Sequence, residues 1–584
     1  MKQLLSGNEA FARGIYEAGV KLAVGYPGTP STEILENCVK SYKDAVHCEW
    51  APNEKVALEV ATGAAMTGVR AVVTMKHVGL NVAADPLMSI SYTGTPGGLV
   101  IIVADDPGMH SSQNEQDSRH YARFAKVPVL EPSDSTEARD FLKRAMEISE
   151  EYRTPVIIRT STRVSHSRSM VEFGERTEPR EACFQKDPGN CVLVPAVARK
   201  IRLKVEERLK KLAEDNNEKL GLNRVEKGSK ELGVVTEGIA YQYVKEIFPE
   251  ASVLKLGCAF PVPERLMKDF AASVDRVLVV EEVEDFTELN MKAIGISCEG
   301  KAFVPNIGEL SPDVLRQSRA LMEGREAEEA PCCEAVLETP LPNRPPTLCA
   351  GCPHRGIFYA LKKFDVNVTG DIGCYSQGVQ PPLATLDTII CMGTGFSMAH
   401  GMAQSGQQRK VVGVLGDSTF FHSGITGLLN TAWNKANCVL IVLDNRITAM
   451  TGHQDNPGTG HTLMGEESIA ASVEEIGRAC GMKNIASFDP LNQEETHAVL
   501  KKAIESDEPW LLVSRSPCVL IMKQRKGNIR NIDSEKCKNC KSCLKTGCPA
   551  IECVGKGAKP TINAMSCNGC GLCNQVCKFG AISE

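Results

Sequence analysis

The chain has 584 residues, of which 42% are hydrophobic and 24% charged, with a formal net charge of −6 and 24 cysteines. This length exceeds what one hydrophobic core usually serves and predicts about four domains. The slightly negative charge, with basic residues mixed among acids, argues against nucleic acid as a partner. We see no leader pattern and no apolar run near the ~20 residues that span a bilayer, so we expect a cytoplasmic protein with no membrane partner. Because cytosolic thiols are kept reduced, the cysteines favour metal or redox chemistry over a disulfide framework.

Short apolar runs alternate with helix-like stretches along the first part of the chain. This alternation predicts a parallel sheet covered on both faces, and we assign residues 1–165 to one α/β domain. Residues 166–230 lose the pattern and are typical of a charged helical connector. The alternation returns in a smaller α/β domain at 231–310, and an acidic, proline-containing linker follows at 311–346.

A third α/β domain is predicted for residues 347–527. One of its strands ends at Gly416, directly before Asp417, and another ends at Asp444-Asn445. Ligands of open α/β sheets bind at such carboxyl ends. The Asp417 carboxylate, the Asn445 amide and a nearby backbone carbonyl are oxygen ligands of the kind that a hard divalent cation takes. Taken alone, the pattern is also compatible with an ordinary pair of strands and turns.

The last segment, residues 528–584, contains two cysteine triplets at two-residue intervals, each followed by a fourth cysteine. The first set is Cys537, Cys540, Cys543 and Cys548, and the second is Cys567, Cys570, Cys573 and Cys577. Such a triplet wraps three corners of a [4Fe–4S] cube, and in two-cluster ferredoxins the fourth cysteine ligates the other cluster. We therefore predict two clusters, with Cys577 completing the first triplet and Cys548 the second. Zinc is the weaker alternative because zinc sites normally use ligand pairs separated by a longer spacer.

The two strand ends of the third domain resemble the thiamine diphosphate motif, here in the form GDS…DN. The resemblance implies Mg²⁺ held by Asp417, Asn445 and the Ile447 carbonyl, with Gly416 and Ser418 also in the cofactor site. It further implies a glutamate from a separate domain that hydrogen-bonds the aminopyrimidine of the cofactor.

Glu54 matches the implied glutamate, because it precedes a small-residue helix with Gly63 nine positions on. Glu49 is close enough in the sequence to compete for this role. Without the resemblance, Glu54 would be an ordinary acid in the first turn of a helix, where the helix dipole favours it.

Further motifs follow in a fixed order along the chain. They are YPGTPSTEI (26–34), KHVGLNVAADPL (76–87), DDPGMHSSQNEQDSRHYA (105–122), CAGCPHRG (349–356), DIGCYS (371–376) and the cysteine-rich tail. Across essentially the whole chain, this set resembles the large (alpha) subunits of indolepyruvate:ferredoxin oxidoreductases, a branch of the 2-oxoacid:ferredoxin oxidoreductase family. The resemblance implies a pyrimidine-binding domain, a transketolase-C-like domain, a diphosphate-binding domain and a two-cluster ferredoxin-like domain, in that order.

The resemblance also implies an activity and partners. The activity is oxidative decarboxylation of an aryl 2-oxoacid to an aryl-acetyl-CoA, with coenzyme A and ferredoxin, in an α2β2 complex with a small (beta) subunit. Thr29 matches a substrate-contacting threonine of the family, although a threonine in this Gly/Pro turn can equally cap the next helix. His77, His110 and His422 have no assigned role, because lone histidines are more often structural.

Four cysteines of the third domain leave two alternatives open. They are Cys349, Cys352, Cys374 and Cys518. The resemblance implies a third cluster here in several relatives, whereas buried free thiols are the simpler interpretation.

Two other function classes stay open on the sequence alone. A non-redox thiamine-dependent decarboxylase or carboligase would have no use for the cysteine-rich tail. A non-catalytic iron–sulfur electron carrier would have no use for Glu54, Asp417 and Asn445. The preferred 2-oxoacid does not follow from the sequence.

Overall fold

The computed structural model describes residues 2–326, 344–523, 527–555 and 557–584. Within these ranges, none of the helices combines the length and the apolar character needed to cross a bilayer. The chain divides into two compact units, Met1–Glu338 and Thr339–Glu584.

The amino-terminal region of the first unit alternates strands and helices, as its apolar runs predict. Its strands are β1 (Lys2–Ser6), β2 (Leu22–Gly25), β3 (His47–Trp50), β4 (Ala71–Lys76), β5 (Leu99–Asp105), β6 (Val129–Leu130), β7 (Val156–Ser161) and β8 (Arg168–Glu172). Its helices are α1 (Gly7–Glu17), α2 (Thr32–Tyr42), α3 (Glu54–Met66), α4 (His77–Val82), α5 (Ala84–Thr93), α6 (Arg119–Ala125), α7 (Ser135–Tyr152), α8 (Thr162–His166), α9 (Pro188–Cys191) and α10 (Pro195–Asp215). Strands β4, β5 and β7 are buried along their whole length, because helices cover both faces of a parallel sheet.

The second region of the first unit is smaller. Its strands are β9 (Arg224–Glu226), β10 (Ser229–Glu237), β11 (Ala251–Leu256), β12 (Cys258–Phe260) and β13 (Val277–Val280). Its helices are α11 (Ala240–Ile247), α12 (Glu264–Ala272), α13 (Phe286–Ala293) and α14 (Pro312–Met322).

Two sheets organise the first unit. The larger has the order β12-β6-β7-β5-β4-β2-β3 and is parallel except at β12, which pairs antiparallel with β6. The smaller has the order β13-β10-β11-β9, with β9 antiparallel to β11. Since β12 comes from the second region, the two regions share the larger sheet. Strands β1 and β8 form a separate antiparallel pair.

The predicted linker at 311–346 begins with a helix, α14. The Ser311 hydroxyl accepts a hydrogen bond from the Val314 N–H at 3.2 Å, which caps the helix start. Leu315 is buried in the core of the smaller sheet, so this part of the predicted linker belongs to the second region. Residues 327–343 of the same prediction lie outside the described residues.

A buried ion-pair network lies where the two regions of the first unit meet. Its cations are Arg119 and Arg159, and its anions are Asp105, Asp117, Glu131, Glu237 and Glu281. Of these two cations, Arg119 is the one that forms ion pairs with carboxylates of both regions. Burial and the neighbouring Glu281 raise the pKa of Glu237. Because a buried charge that loses its partner is costly, this network ties the two regions together.

The second unit is built on a parallel sheet with the order β14-β15-β16-β18-β17. Its strands are β14 (Val366–Thr369), β15 (Lys410–Gly416), β16 (Val439–Asp444), β17 (Asn484–Phe488) and β18 (Trp510–Arg515). Its helices are α15 (His354–Leu361), α16 (Thr394–Gln404), α17 (Asp417–Thr419), α18 (Ile425–Asn434), α19 (Val473–Ala479) and α20 (Gln493–Ile504). Strands β15, β16 and β18 lie where apolar runs predict strands.

The tail of the second unit has two short antiparallel strand pairs. Its elements are β19 (Asn531–Ile532), β20 (Ile551–Glu552), β21 (Thr561–Ile562), α21 (Leu572–Val576) and β22 (Ile582–Ser583). Strand β19 pairs with β22, and β20 pairs with β21. Cys543 and Cys573 contribute to the small core of this tail, so the cysteines form part of its packing.

Candidate active site

Glu54 lies at the carboxyl edge of the larger sheet, as the first residue of α3. The Asn53 side chain accepts a hydrogen bond from the Val56 N–H at 2.9 Å, which fixes the helix start at this position. The Glu54 side chain is buried and packs against Gly79, where a Cβ would lie 2.6 Å from Glu54 Oε1. The missing side chain at Gly79 therefore makes room for the carboxylate.

Lys76 ends β4 close to Glu54. Its ammonium group donates a hydrogen bond to the Ser111 carbonyl at 2.9 Å. Burial lowers the pKa of Lys76 to about 8, against the opposing effect of Asp106 and Glu54. A Cβ at Gly28 would lie 3.2 Å from the lysine stem. This lysine therefore connects Glu54 with the loop that follows β2.

Thr29 lies in that loop, partly buried, and the Thr29–Pro30 peptide bond is cis. The Thr29 carbonyl accepts a hydrogen bond from the Ser111 hydroxyl at 3.2 Å. The residue at the N-cap of α2 is Ser31, and it makes no side-chain capping bond. Thr29 is therefore not the cap of this helix, which was the alternative to a role in substrate binding.

Glu49, the competing candidate, lies on the edge strand β3. Its carboxylate is 3.4 Å from the His47 ring, and its side chain is 38% exposed. Glu54 is buried beside Lys76 instead. The two glutamates therefore have different surroundings. Of the two carboxylates, the one restrained by close neighbours, Gly79 and Lys76, is that of Glu54.

His77 and His110, the two first-unit histidines named in the sequence analysis, differ in burial. His77 is fully buried, with Nε2 3.2 Å from the Asn114 carbonyl. His110 is half exposed, with Nε2 3.3 Å from the Glu309 carboxylate. Both lie in segments that follow strands at the carboxyl edge of the larger sheet.

Asp417 lies at the carboxyl edge of the sheet in the second unit. It follows Gly416 and begins a continuous helical run formed by α17, a π-helical turn at Phe420–Gly424 and α18. The N–H groups of a first helical turn have no partner within the helix and attract anions. π-Helical turns are rare and frequently accompany functional sites.

The surroundings of Asp417 suit a cation. Its Oδ2 accepts a hydrogen bond from Asn456 Nδ2 at 3.2 Å. Burial raises the pKa of Asp417 to about 7, and the nearby Asp444 carboxylate acts in the same sense. A buried carboxylate near a second carboxylate offers the oxygen donors that Mg²⁺ binds. The residues present therefore fit the predicted magnesium site.

Asn445 and Ile447 follow β16 at the same edge. Asn445 Oδ1 accepts a hydrogen bond from the Ile447 N–H at 3.2 Å, and Nδ2 lies 3.5 Å from His354 Nε2. The Asn445 carbonyl accepts a hydrogen bond from the Cys518 N–H at 3.0 Å. Burial lowers the pKa of His354 to about 4. A neutral imidazole thus adjoins Asn445 near neutral pH.

The DIGCYS segment packs against the same strand end. A Cβ at Gly416 would lie 2.7 Å from the Tyr375 ring. Asp371 is fully buried and accepts a hydrogen bond from the Gly395 N–H at 3.2 Å. Burial raises the pKa of Asp371 to about 7, and His422 opposes this shift. His422 itself is buried in the π-helical turn.

Sequence reasoning assigned no role to Asn456, His354, Asp371 or Tyr375. His354, Asp371 and Tyr375 fall inside the quoted CAGCPHRG and DIGCYS motifs, which was the available signal. Asn456 stands in no motif, and only the fold brings it to Asp417.

The tail cysteines form two groups, and the members of each group lie close together. One group is Cys548, Cys567, Cys570 and Cys573, and the other is Cys537, Cys540 and Cys543. Burial and the neighbouring thiols of the first group raise the pKa of Cys573 to about 12. Cys548 therefore lies with the second triplet, the arrangement that the crossed assignment requires. In the described part of the chain, no three or more histidine, cysteine or acidic side chains converge as ligands of a single metal ion.

The four cysteines of the third domain also lie together, although they are distant in the sequence. Burial, Cys518 and Cys349 raise the pKa of Cys374 to about 11. Burial raises the pKa of Cys352 to about 12, with Cys349 and Cys374 acting in the same sense. Burial, Cys349 and Asp417 raise the pKa of Cys518. Within this group, Cys518 therefore lies close enough to the predicted magnesium ligand Asp417 for the two side chains to interact electrostatically.

Three segments match models of known protein families. Residues 13–204 match the thiamine-diphosphate-binding domain of pyruvate flavodoxin/ferredoxin oxidoreductases, and residues 371–514 match the C-terminal binding domain of thiamine pyrophosphate enzymes. Residues 560–583 match a 4Fe-4S binding domain.

Curated relatives match the chain over its length. Indolepyruvate oxidoreductase subunit IorA of Methanothermobacter marburgensis is 43% identical over 99% of this chain and 96% of the relative. The IorA subunit of Pyrococcus horikoshii is 40% identical over 100% of this chain and 97% of the relative. This chain belongs to the IorA family.

Membership of the IorA family confirms the predicted class of enzyme, a thiamine-diphosphate-dependent 2-oxoacid:ferredoxin oxidoreductase. The α/β fold class with a ferredoxin-like tail is confirmed, as are thiamine diphosphate and iron–sulfur clusters as cofactors. The individual site residues and domain boundaries stay predictions.

A solved structure of 2-oxoglutarate:ferredoxin oxidoreductase from Magnetococcus marinus matches with a TM-score of 0.46 and 16% identity, over 55% of this chain and 65% of that chain. A likeness at this level adds nothing to the family assignment.

Proposed function

We propose that this chain, with a small partner subunit, oxidatively decarboxylates indolepyruvate and other aryl 2-oxoacids to aryl-acetyl-CoA. Each turnover would break the bond between the carboxyl and 2-oxo carbons, form a thioester with coenzyme A, and release CO2, two electrons and the proton of the coenzyme A thiol. The two electrons would leave one at a time to ferredoxin. The aryl substrate is supported by the names of the IorA relatives, which cover the whole chain.

The redox assignment rests on one observation. Within the second unit, a series of neighbouring cysteines extends from Asp417 to the tail. The Cys518 N–H donates a hydrogen bond to the Asn445 carbonyl at 3.0 Å, and the Cys518 thiol lies close enough to Asp417, Cys349 and Cys374 to interact with them electrostatically. Arg355 then lies beside both Cys349 and Cys548 of the tail group. A non-redox thiamine enzyme would have no use for a series of cysteines between Asp417 and the tail, so this arrangement favours electron transfer.

Thiamine diphosphate, when bound, supplies the carbon nucleophile and the electron sink for decarboxylation. Glu54 would hydrogen-bond the aminopyrimidine, because its carboxylate is buried and held against Gly79. Thr29 would donate its hydroxyl to the 2-oxoacid.

Asp417, Asn445 and the Ile447 carbonyl would hold Mg²⁺ and, through it, the diphosphate. Gly416 and Ser418 would lie beside the diphosphate, where the first turn of the helical run presents N–H groups. The hydrogen bond from Asn456 would orient the Asp417 carboxylate toward the metal.

Cys537, Cys540, Cys543 and Cys577 would ligate one tail [4Fe–4S] cluster, and Cys548, Cys567, Cys570 and Cys573 the other. A third cluster held by Cys349, Cys352, Cys374 and Cys518 is supported by the electrostatic interactions among these thiols and between Cys518 and Asp417. Clusters bind thiolates, so cluster binding would displace the thiol protons.

The test is anaerobic reduction of ferredoxin or a viologen dye by this chain co-purified with its partner subunit. We expect reduction that requires coenzyme A and is faster with indolepyruvate than with pyruvate. Glu54→Gln should abolish it, whereas Glu49→Gln, the matched control, should retain it. No reduction by any 2-oxoacid, despite intact clusters and bound thiamine diphosphate, would contradict the proposal.

A further inference from the structure

Arg355 is a buried cation whose hydrogen-bond acceptors among the described residues are backbone carbonyls. It is 2% exposed and follows the CAGC segment as the second residue of α15. Its Nε donates a hydrogen bond to the Cys349 carbonyl at 2.9 Å, and its terminal nitrogens donate to the carbonyls of Leu348, Thr546 and Gly547. No ion pair joins it to a carboxylate of a described residue. The guanidinium is therefore held by neutral carbonyl groups alone.

The carbonyls that hold Arg355 belong to two cysteine-bearing loops. Leu348 and Cys349 open the CAGC segment, and Thr546 and Gly547 immediately precede Cys548 of the tail. The backbone at Gly547 has a positive φ of 66°, and a Cβ there would lie 3.0 Å from an Arg355 nitrogen. Glycine thus permits both the turn and the close approach.

A second contact joins the same cysteine groups. A Cβ at Gly351, within the CAGC segment, would lie 2.7 Å from Asn568 Cβ. Asn568 directly follows Cys567 of the second tail triplet. The loop that carries Cys349 and Cys352 therefore packs directly on a loop of the tail, and Arg355 lies at this junction.

Charge balance explains why a guanidinium would be buried here. A buried cation is costly unless negative charge faces it. Burial lowers the pKa of Arg355, whereas the thiols of Cys548, Cys352, Cys349 and Cys570 raise it. An iron–sulfur cluster with four thiolates carries net negative charge, and its reduction potential depends on nearby charge and hydrogen bonds. Clusters at the two cysteine groups would thus supply the negative charge that balances the Arg355 guanidinium.

We infer that Arg355 is a positioning residue that sets the reduction potentials of two neighbouring iron–sulfur sites, one formed by Cys548, Cys567, Cys570 and Cys573 and one by Cys349, Cys352, Cys374 and Cys518. This inference rests on the proposed function, because it takes both sites to hold clusters. The guanidinium charge stabilises the reduced state of each cluster and so raises both potentials.

A shared cation has a specific effect on electron transfer. An electron lost by one site is gained by the other, with no proton or bond change. Because one guanidinium raises both reduction potentials together, it makes both sites easier to reduce. The difference between the two potentials changes less than either potential does. A lysine could supply the charge, but its compact ammonium cannot reproduce the planar fork that reaches carbonyls of two loops.

The test compares Arg355→Gln and Arg355→Lys with the parent, each as the full chain co-purified anaerobically with its partner subunit. Arg409→Gln is the matched control. It removes one positive charge from an exposed ion pair with Asp365, at the end of β15 opposite to Asp417. The readouts are iron per chain and the midpoint potentials from a dithionite titration followed by electron paramagnetic resonance, with no 2-oxoacid present.

We expect the glutamine variant to shift both midpoint potentials to more negative values, and the lysine variant, which keeps the positive charge, to retain its iron with potentials near those of the parent. The Arg409 variant should match the parent. Parent potentials and full iron in the glutamine variant would overturn the inference. If that variant loses its iron, the lysine variant decides. Potentials near the parent values support the charge role, whereas a clear shift, or loss of its iron too, overturns it.

The same preparation separates this inference from the proposed function. A parent with only about eight irons per chain has the two tail clusters but no third cluster near Asp417, which overturns the shared role of Arg355. A parent with about twelve irons and the expected Arg355 shifts, but no 2-oxoacid-dependent reduction, contradicts the proposed function and supports the inference.

Discussion

Replacing Gly79 by alanine tests whether the position of the Glu54 carboxylate controls activity. A Cβ at residue 79 would lie 2.6 Å from Glu54 Oε1 and 2.7 Å from its Cγ, whereas ordinary contact begins at 3.4 Å. The carboxylate would have to retreat by about 0.8 Å, and a misplacement of roughly 1 Å can cost about 100-fold in rate. We therefore expect the turnover number of Gly79→Ala to fall by about two orders of magnitude.

The assay is coenzyme A-dependent viologen reduction with indolepyruvate, accompanied by iron analysis and thiamine diphosphate content. Gly63→Ala is the matched control, since residue 63 lies in α3 itself and a Cβ there would meet nothing within 4 Å. Alanine is also favoured over glycine in a helix by about 1 kcal/mol. This control should keep parent activity, and Glu54→Gln sets the lower limit.

Equal activities of the two alanine variants would refute the reasoning, because the structure gives only residue 79 a clash. Loss of activity together with loss of iron in Gly79→Ala would point to damage of the fold instead. A double variant, Gly79→Ala with Glu54→Gln, should be no slower than Glu54→Gln alone if both act through the same carboxylate.

Three further predictions concern other parts of the molecule. Lys76→Met should stabilise the first unit by up to about 3 kcal/mol below pH 8, because the folded pKa of about 8 lies below the ordinary value of 10.5. Between pH 8 and 10.5 the unfolded parent binds more protons than the folded parent, so the stability of the parent rises with pH. The difference in melting temperature between the parent and Lys76→Met should therefore vanish near pH 10.5. A difference that stays constant with pH would contradict the lowered pKa of Lys76. Asp417→Asn should abolish Mg²⁺-dependent thiamine diphosphate binding measured by calorimetry, and Asn456→Ala should weaken it less; unchanged binding in the first variant would exclude Asp417 as a ligand. Cys374→Ala should lower the iron content from about twelve to about eight per chain, and no change would leave this thiol outside any cluster.

The sequence predicted those features that depend on local pattern. The strand ends at Gly416 and Asp444 follow from apolar runs, and the grouping of Cys548 with the second triplet follows from ferredoxin-like spacing. The helix α14 was missed because its Ser311 cap lies in an acidic segment without a long apolar stripe. Such a helix is stabilised by burial of Leu315 against the smaller sheet, which is a tertiary contact.

The contacts of the candidate site were less accessible from sequence. Cys518 reaches Cys349 and Cys374 only because the carboxyl ends of parallel strands meet at one edge of the sheet. Asn456 reaches Asp417 through a long loop that has no recognisable pattern. Arg355 falls inside the CAGCPHRG motif, but its position between two cysteine-bearing loops was not predictable, because its partners Thr546 and Gly547 come from the distant tail.

Strand β12 limits how this part of the molecule can be divided. It comes from the second region but completes the larger sheet beside β6. A fragment that stopped at residue 230 would expose the unpaired N–H and C=O groups of β6, and open strand edges promote aggregation. It would also deprive Arg119 of the Glu237 and Glu281 carboxylates. The amino-terminal region is therefore a poor module for recombination, and a chimera between relatives should exchange it only together with the region that carries β12.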